Sequence, residues 1–365
     1  MNFAGKSAVA VAASVLALGI VPAHAAPAFD DYVTFSGFGT LGEVHSDYRL
    51  ADFIGTIIQP NGAGYSRSWS PTLDSDLGVQ ANITLTDSLS GVVQVLSRDD
   101  ADGNFKPAVE WANLKYQITS DVAVRLGRIV LPTYERSDTQ NVGYALPWVR
   151  VPIEITYTST ATNADGLDVL YRVKTGAVTQ NLEVQWGTTT EDLPGQAFTS
   201  NRAHVVLFED TLQYGDASLH LTYQKCDSLG FPPARLALVD AGITYDPGTW
   251  FVTADSNHSQ DTYFGNFISG YLSGGIRIGR FAPYALYSSI HATTAGASGL
   301  KSLGDQHTVA IGVRWDFAKN LDFKLQGEQV TIGTLNDPAA FSNLQPGARI
   351  GDKANVLSLA IDFVF

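Results

Sequence analysis

From Val33 to Phe365, apolar and polar side chains alternate with a period of two, as in strands with one apolar and one wetted face. Leu77, Val79, Ala81, Ile83 and Leu85 alternate with Gly78, Gln80, Asn82 and Thr84. Ala112, Leu114, Tyr116 and Ile118 alternate with Trp111, Asn113, Lys115 and Gln117, and Leu321, Phe323 and Leu325 with Asp322, Lys324 and Gln326. Each such segment runs for about ten residues, the length of a tilted strand with lipid on one side and water on the other. Sixteen segments qualify: 33–45, 75–86, 90–98, 109–119, 121–130, 164–174, 178–187, 201–209, 215–225, 237–246, 248–256, 266–279, 281–291, 305–317, 321–332 and 353–365. Ile153 to Tyr157 competes with 164–174 for the sixth place.

The links between these segments sharpen the reading. Short turns at 87–89, Ser120, 175–176, 210–215, 246–248, Arg280 and 318–320 alternate with long loops at 46–74, 99–108, 131–163, 188–200, 226–236, 257–265, 292–304 and 333–352. A two-sheet sandwich has no reason to keep that rhythm, whereas an up-and-down barrel does. The expected fold is all-β: a transmembrane antiparallel up-and-down barrel of about sixteen strands, with short periplasmic turns and long outer loops. Closure removes the unpaired edges that hydrocarbon does not tolerate. Residues 26–365 read as one domain, with no internal repeat and no linker.

The N-terminus carries Lys6, an apolar run from Ser7 to Val21, and Ala23-His24-Ala25, the pattern of a secretory signal peptide cleaved after Ala25. The rest has no apolar stretch long enough for a membrane helix. The chain carries 23 Lys and Arg against 36 Asp and Glu, so the segment after Ala25 has a formal charge of −14. That surplus argues against nucleic-acid binding. It suits loops that meet divalent cations bridging acidic lipid head groups, and it equally keeps a periplasmic protein soluble. With Cys226 as the sole cysteine, no intramolecular disulfide can form.

Chemistry-bearing residues are dispersed. His45, His204, His220, His258, His291 and His307 fall on separate segments, and the sequence holds neither a nucleophile elbow nor a metal-binding His pair. No catalytic residue, cofactor or metal is therefore expected. Asp99 to Asn104 looks faintly like a calcium loop, but Arg98 occupies the position of its first acid, so a solvated acidic tip is the simpler reading. At the C-terminus Leu357, Leu359, Ile361, Phe363 and Phe365 share one face. This resembles the terminal strand of bacterial outer-membrane proteins, and the resemblance implies that Leu359, Ile361, Phe363 and Phe365 form the signal read by the barrel-assembly machinery.

The whole segment after the signal resembles the Gram-negative porin superfamily, especially the general-porin-like proteins of proteobacteria. The best local match is Val124-Arg125-Leu126-Gly127-Arg128, then Pro132, Asn141 to Trp148, and Pro152-Ile153-Glu154. The resemblance implies an outer-membrane location among lipids and lipopolysaccharide, a homotrimer, and a third long loop folded into the lumen. Here that loop is 131–163, and Glu135, Arg136, Asp138, Arg150 and Glu154 are its candidate constriction residues. It lacks the acidic Pro-Glu-Phe-Gly signature of the best-known enterobacterial porins.

Strand parity supplies the facing wall. It places Lys115, Arg125, Arg172, Arg277, Arg314 and Lys324 inside, with Arg98 near the rim, because an ionised group facing lipid at mid-depth costs about 2–4 kcal/mol. Arg98, Lys115, Arg125 and Arg172 flank the third loop and are the preferred eyelet residues. Alternatively, the wall cations only solvate the lumen and pair with Glu183, Asp240, Asp316 and Asp322. The expected function is passive diffusion of small hydrophilic solutes, with a substrate-specific channel or a plugged, structural or adhesive barrel as alternatives.

Overall fold

The computed structural model describes residues 32–159, 161–191, 201–229 and 234–365. The expected signal segment 1–25 lies outside them, as does most of the loop expected at 188–200. Sixteen strands of nine or more residues follow one another in antiparallel order: β1 (Val33–Ser46), β2 (Asp76–Thr84), β3 (Leu89–Arg98), β4 (Ala108–Gln117), β5 (Val122–Val130), β6 (Asn163–Thr175), β7 (Val178–Glu191) and β8 (Asn201–Tyr214). They continue as β9 (Ala217–Ser228), β10 (Arg235–Tyr245), β11 (Trp250–Asp261), β12 (Gly265–Ile276), β13 (Phe281–Ala295), β14 (Gln306–Ala318), β15 (Leu321–Ile332) and β16 (Lys353–Val364). β16 pairs back onto β1 from Phe38↔Val364 to Ser46↔Val356, which closes the barrel.

The two faces follow the alternation. Leu126, Trp186 and Ile311 are 63%, 65% and 66% exposed on the outside, whereas Asp322, Lys324 and Asp362 are fully enclosed within. An apolar outer belt over a polar interior marks a barrel that crosses a membrane. Five of the six described histidines, His45, His204, His258, His291 and His307, project outward near the long-loop end, and only His220 points in. Arg128 also faces outward there, held by Asp165 at 2.8 and 2.9 Å, so it stands at the rim of the apolar belt rather than within it.

Two expected links differ. The segment 210–215 is not a turn: β8 runs on to Tyr214, because Gln180 of β7 donates to both Asp210 carboxylate oxygens at 3.0 and 2.8 Å and satisfies that acid within the ladder. Nor is 257–265 a long loop. β11 extends to Asp261, whose carboxylate accepts the Tyr263 and Phe264 N–H groups at 2.7 Å each and tightens the turn into β12. Ile153–Thr156, the competitor for the sixth strand, is a four-residue helix after Pro152, and Asn163–Thr175 forms that strand instead.

The seam of the barrel is built around the C-terminus. Phe363 and Phe365 stack at 6.4 Å, over Gly39 and Gly37 of β1, and Gly37 and Phe365 exchange backbone hydrogen bonds of 3.0 and 2.9 Å. A Cβ on Gly39 would lie 2.6 Å from the Phe363 ring and 2.9 Å from the Asp76 carbonyl oxygen, too close for either to remain in place. Gly39→Val is expected to destabilise the barrel by about 1–3 kcal/mol through overpacking. The check is the urea midpoint in detergent micelles; an unchanged midpoint would show that the ring contact at the seam is dispensable.

Candidate functional site: the lumen and its inward loop

Residues 131–159 leave β5 and run along the inner wall rather than outward. Proline at 132, 147 and 152 keeps this stretch out of the strand ladder, and its side chains supply the contacts instead. Trp148 and Leu146 are completely buried, and with Tyr134, Val151 and Ile155 they pack on Leu238, Phe251, Tyr271, Tyr284 and Leu286 of β10 to β13. Trp148 meets Tyr271 edge-on at 5.6 Å. These wall positions point inward yet are apolar, because the loop rather than water covers them.

Polar anchors fix the same loop. Arg150 forks onto Asp74 with two bonds of 2.7 Å, donates to Ser358 at 2.5 Å, and pairs with Glu328, tying loop, first outer loop and wall together. Glu154 is 1% exposed and accepts from Ser288 at 3.0 Å, Gln306 at 2.7 Å, and Thr308. Both were expected at the constriction; they are instead buried anchors with no charge to present to a passing solute. The wall cations of β14 and β15 serve the same end. Arg314 donates to the Tyr144 and Leu146 carbonyls at 2.6 and 3.0 Å and pairs with Asp322 at 3.0 Å. Lys324, wholly enclosed, reaches the Gly143 carbonyl at 2.6 Å and Asp362 at 2.8 Å. Neither ladder cation is open to the lumen, and the pairing of Arg314 with Asp316 and Asp322 agrees with the alternative reading of the wall.

The loop tip differs from its stem. Glu135 accepts from Thr244 at 2.5 Å, and Arg136 donates to the same hydroxyl at 3.2 Å, so both lean on β10. Asp138 faces the opposite side and forms no ion pair among the described residues. Although its side chain is open to the lumen, the enclosing walls push its carboxyl above the usual range, and the nearby Glu209 adds to that.

Across from Asp138 stands the wall that the loop leaves bare, β2 to β5. An opening of about 420 Å³ lies between them, lined by Asn82, Trp111, Asn113, Lys115, Arg125 and Asp138 among others. Arg125 is held between Asp168 and Glu183, the latter at 2.7 Å, so its charge is neutralised locally. Arg98 donates to Asn141 of the loop at 2.8 Å, and Arg172 to Asn181 at 2.9 Å near the short-turn end. Arg277 sits at that same end, outside the strands. Its hydrogen bond to Asp246 at 2.5 Å holds that carboxyl below the usual range. Lys115 alone among the expected wall cations makes no hydrogen bond or ion pair with any described residue.

One constellation escaped the sequence reading. Glu209, His220 and Thr222 form a chain, with His220 Nδ1 3.2 Å from Glu209 and Nε2 2.8 Å from the Thr222 hydroxyl. Thr222 is 3% exposed, and its hydroxyl donates to the Pro132 carbonyl at 2.9 Å. Its order of carboxylate, imidazole and hydroxyl suggests an activated nucleophile, but the group is sealed beneath the loop. The residues alternate along β8 and β9, so only the register brings them together. The first outer loop and the last also meet: Asp52–Phe53 pairs with Ala63–Gly64 and with Phe341–Ser342 in a small three-stranded sheet above the lumen.

No protein-family model matches the sequence, and no curated protein does either. Solved structures do match over almost the whole chain. The anion-selective porin from Comamonas acidovorans is similar at a TM-score of 0.61 and 12% identity, covering 91% of this chain and 99% of its own. OmpF of Salmonella typhi, solved with daunomycin, gives 0.59 and 13%, with 92% and 99% covered. OmpT, an outer-membrane protein of Vibrio cholerae, gives 0.57 and 14%, with 92% and 98% covered. The fold is that of the outer-membrane porins.

Proposed function

We propose that this chain is a diffusion channel in the outer membrane of a Gram-negative bacterium, passing small hydrophilic solutes and ions through its lumen as a homotrimer. The observation that carries the reading is the one-sided placement of residues 131–159. They cover the wall from β9 round to β1 and leave the polar wall of β2 to β5 facing an opening. Across that opening Asp138 opposes Lys115, and such a transverse field orders polar solutes between low-dielectric walls. Trimerisation, and surroundings of lipid and lipopolysaccharide, are proposed from the likeness to porins and other outer-membrane proteins, one of which, OmpT, is described in a trimer form. No bond-making step belongs to this reading, since the buried Thr222 hydroxyl is committed to a carbonyl and out of reach of solutes.

The test is single-channel recording of the refolded protein in a planar bilayer under a salt gradient. Stepwise ohmic openings, in groups of three for a trimer, are expected. Lys115→Gln should move the reversal potential toward cation preference. Acidification should move it the other way: the raised Asp138 carboxyl loses its charge above the ordinary aspartate range of about 3.9. A second reading, a plugged structural barrel, draws on the small sheet that joins the first and last outer loops. It predicts a folded, inserted, silent protein.

A further inference from the structure

The bare wall opposite Asp138 carries more than charge, and we infer that it forms a binding subsite for planar ring-bearing carboxylates. The inference rests on the diffusion-channel reading and narrows it to a solute class.

The site is assembled by register. On β3 and β4 the pairing slips between Gln94 and Val95, so Gln94 faces Trp111 while Val95 faces Val109. The extra residue, Glu110, lets Val109 keep its outward direction while Trp111 turns into the lumen. Inside a water-facing wall an indole has no packing role that a smaller residue could not fill, and here it is only half-buried, with Val92 beside it on β3. Together they give one apolar patch in an otherwise polar stretch.

The polar groups around the patch include donors placed for an anion. Gln94 Nε2 donates to Gln80 Oε1 at 2.8 Å, and Gln80 Nε2 donates to Asn82 Oδ1 at 3.0 Å. This relay occupies the Asn82 carbonyl and leaves its NH₂ group facing the opening. Ser90 and Lys115 are paired in the ladder and both point inward, and Lys115 carries the unneutralised charge. The neighbouring cation, Arg125, is already held by Asp168 and Glu183. The donors that reach a solute are an ammonium and an amide N–H, which suit a carboxylate, with the Asn113 Oδ1 beside them because its NH₂ is spent on the Arg128 carbonyl at 2.9 Å.

Spacing sets the size. Trp111 and Lys115 are four residues apart on one strand, about 13 Å between backbones at the usual strand rise. The lysine stem spans about half of that, leaving room for one ring and its carboxylate between ammonium and indole. A sugar would find the ring face and the Asn113 and Asp138 oxygens but would leave the ammonium without an anion, and a small aliphatic acid would find the ammonium without the face.

The test uses benzoate, with cyclohexanecarboxylate and acetate as controls, added to single channels conducting KCl. Benzoate is expected to interrupt the current with a saturable dependence on concentration, and the controls at least about tenfold less effectively, the ratio for about 1.4 kcal/mol. Trp111→Ala should abolish that preference in a channel that still folds, inserts and conducts KCl; Trp111→Phe should keep most of it. Lys115→Gln should weaken benzoate while sparing benzyl alcohol. Equal effects of benzoate and acetate on a conducting channel, or a preference that survives Trp111→Ala, would overturn the subsite and leave the channel standing. A barrel silent in KCl would overturn the channel reading and the subsite with it.

Discussion

Arg150→Ala should be among the most damaging single substitutions in this chain, lowering stability by about 3–5 kcal/mol. The loss exceeds that of the hydrogen bonds themselves. Without the guanidinium, Asp74 and Glu328 remain enclosed as like charges with no counter-ion, and the loop, the first outer loop and β16 lose their common partner. Arg150→Lys should recover only a part, because an ammonium cannot satisfy both Asp74 oxygens and Glu328 in one geometry. The combination Arg150→Met, Asp74→Asn and Glu328→Gln should restore most of the stability by removing the charges together. Urea midpoints in micelles measure all three; a single alanine variant within about 1 kcal/mol of the parent would show that the hub is peripheral.

Trp148→Ala acts at a different level. The indole is fully buried, and its removal from the cluster around Tyr271 should cost about 3–5 kcal/mol. None of the barrel's ladder hydrogen bonds passes through it, so strand pairing should survive while the loop loosens from β10 to β13. The expected signature is a channel that still inserts but whose current is noisier and larger in amplitude, as the covered half of the lumen becomes intermittently accessible. A quiet channel of unchanged conductance would mean that the polar anchors alone hold the loop.

The difference between these two effects follows what could and could not be read from the chain. Strand identity was legible because period-two patterning is local: each of the sixteen expected segments coincides with a strand to within a few residues. Inside and outside were legible for the same reason. The ends were harder, and 210–215 and 257–265 failed because Asp210 and Asp261 look like turn residues until their partners are seen. The roles of the loop residues were not legible. Whether Glu154 meets solute or Ser288, and whether Lys324 meets solute or the Gly143 carbonyl, depends on groups 134 and 181 positions away. One signal was available and unused: inward positions such as Leu238, Tyr284 and Leu286 are apolar, and a water-facing wall has no use for that, so something had to cover it.

That covering divides the inner wall into two kinds of ground for later change. On β9 to β16 inward side chains such as Gln224, Tyr271, Ser288 and Lys324 touch the loop, so a substitution there must be matched by another far away in the chain. On β2 to β5 the residues that meet solute touch mainly each other and the opening. A lineage descended from this protein can exchange Trp111, Asn82 or Lys115 one at a time and acquire a new solute preference without first passing through an unstable barrel. Adaptation to new nutrients or toxins would then be recorded on those four strands, while the opposite wall changes slowly and in pairs.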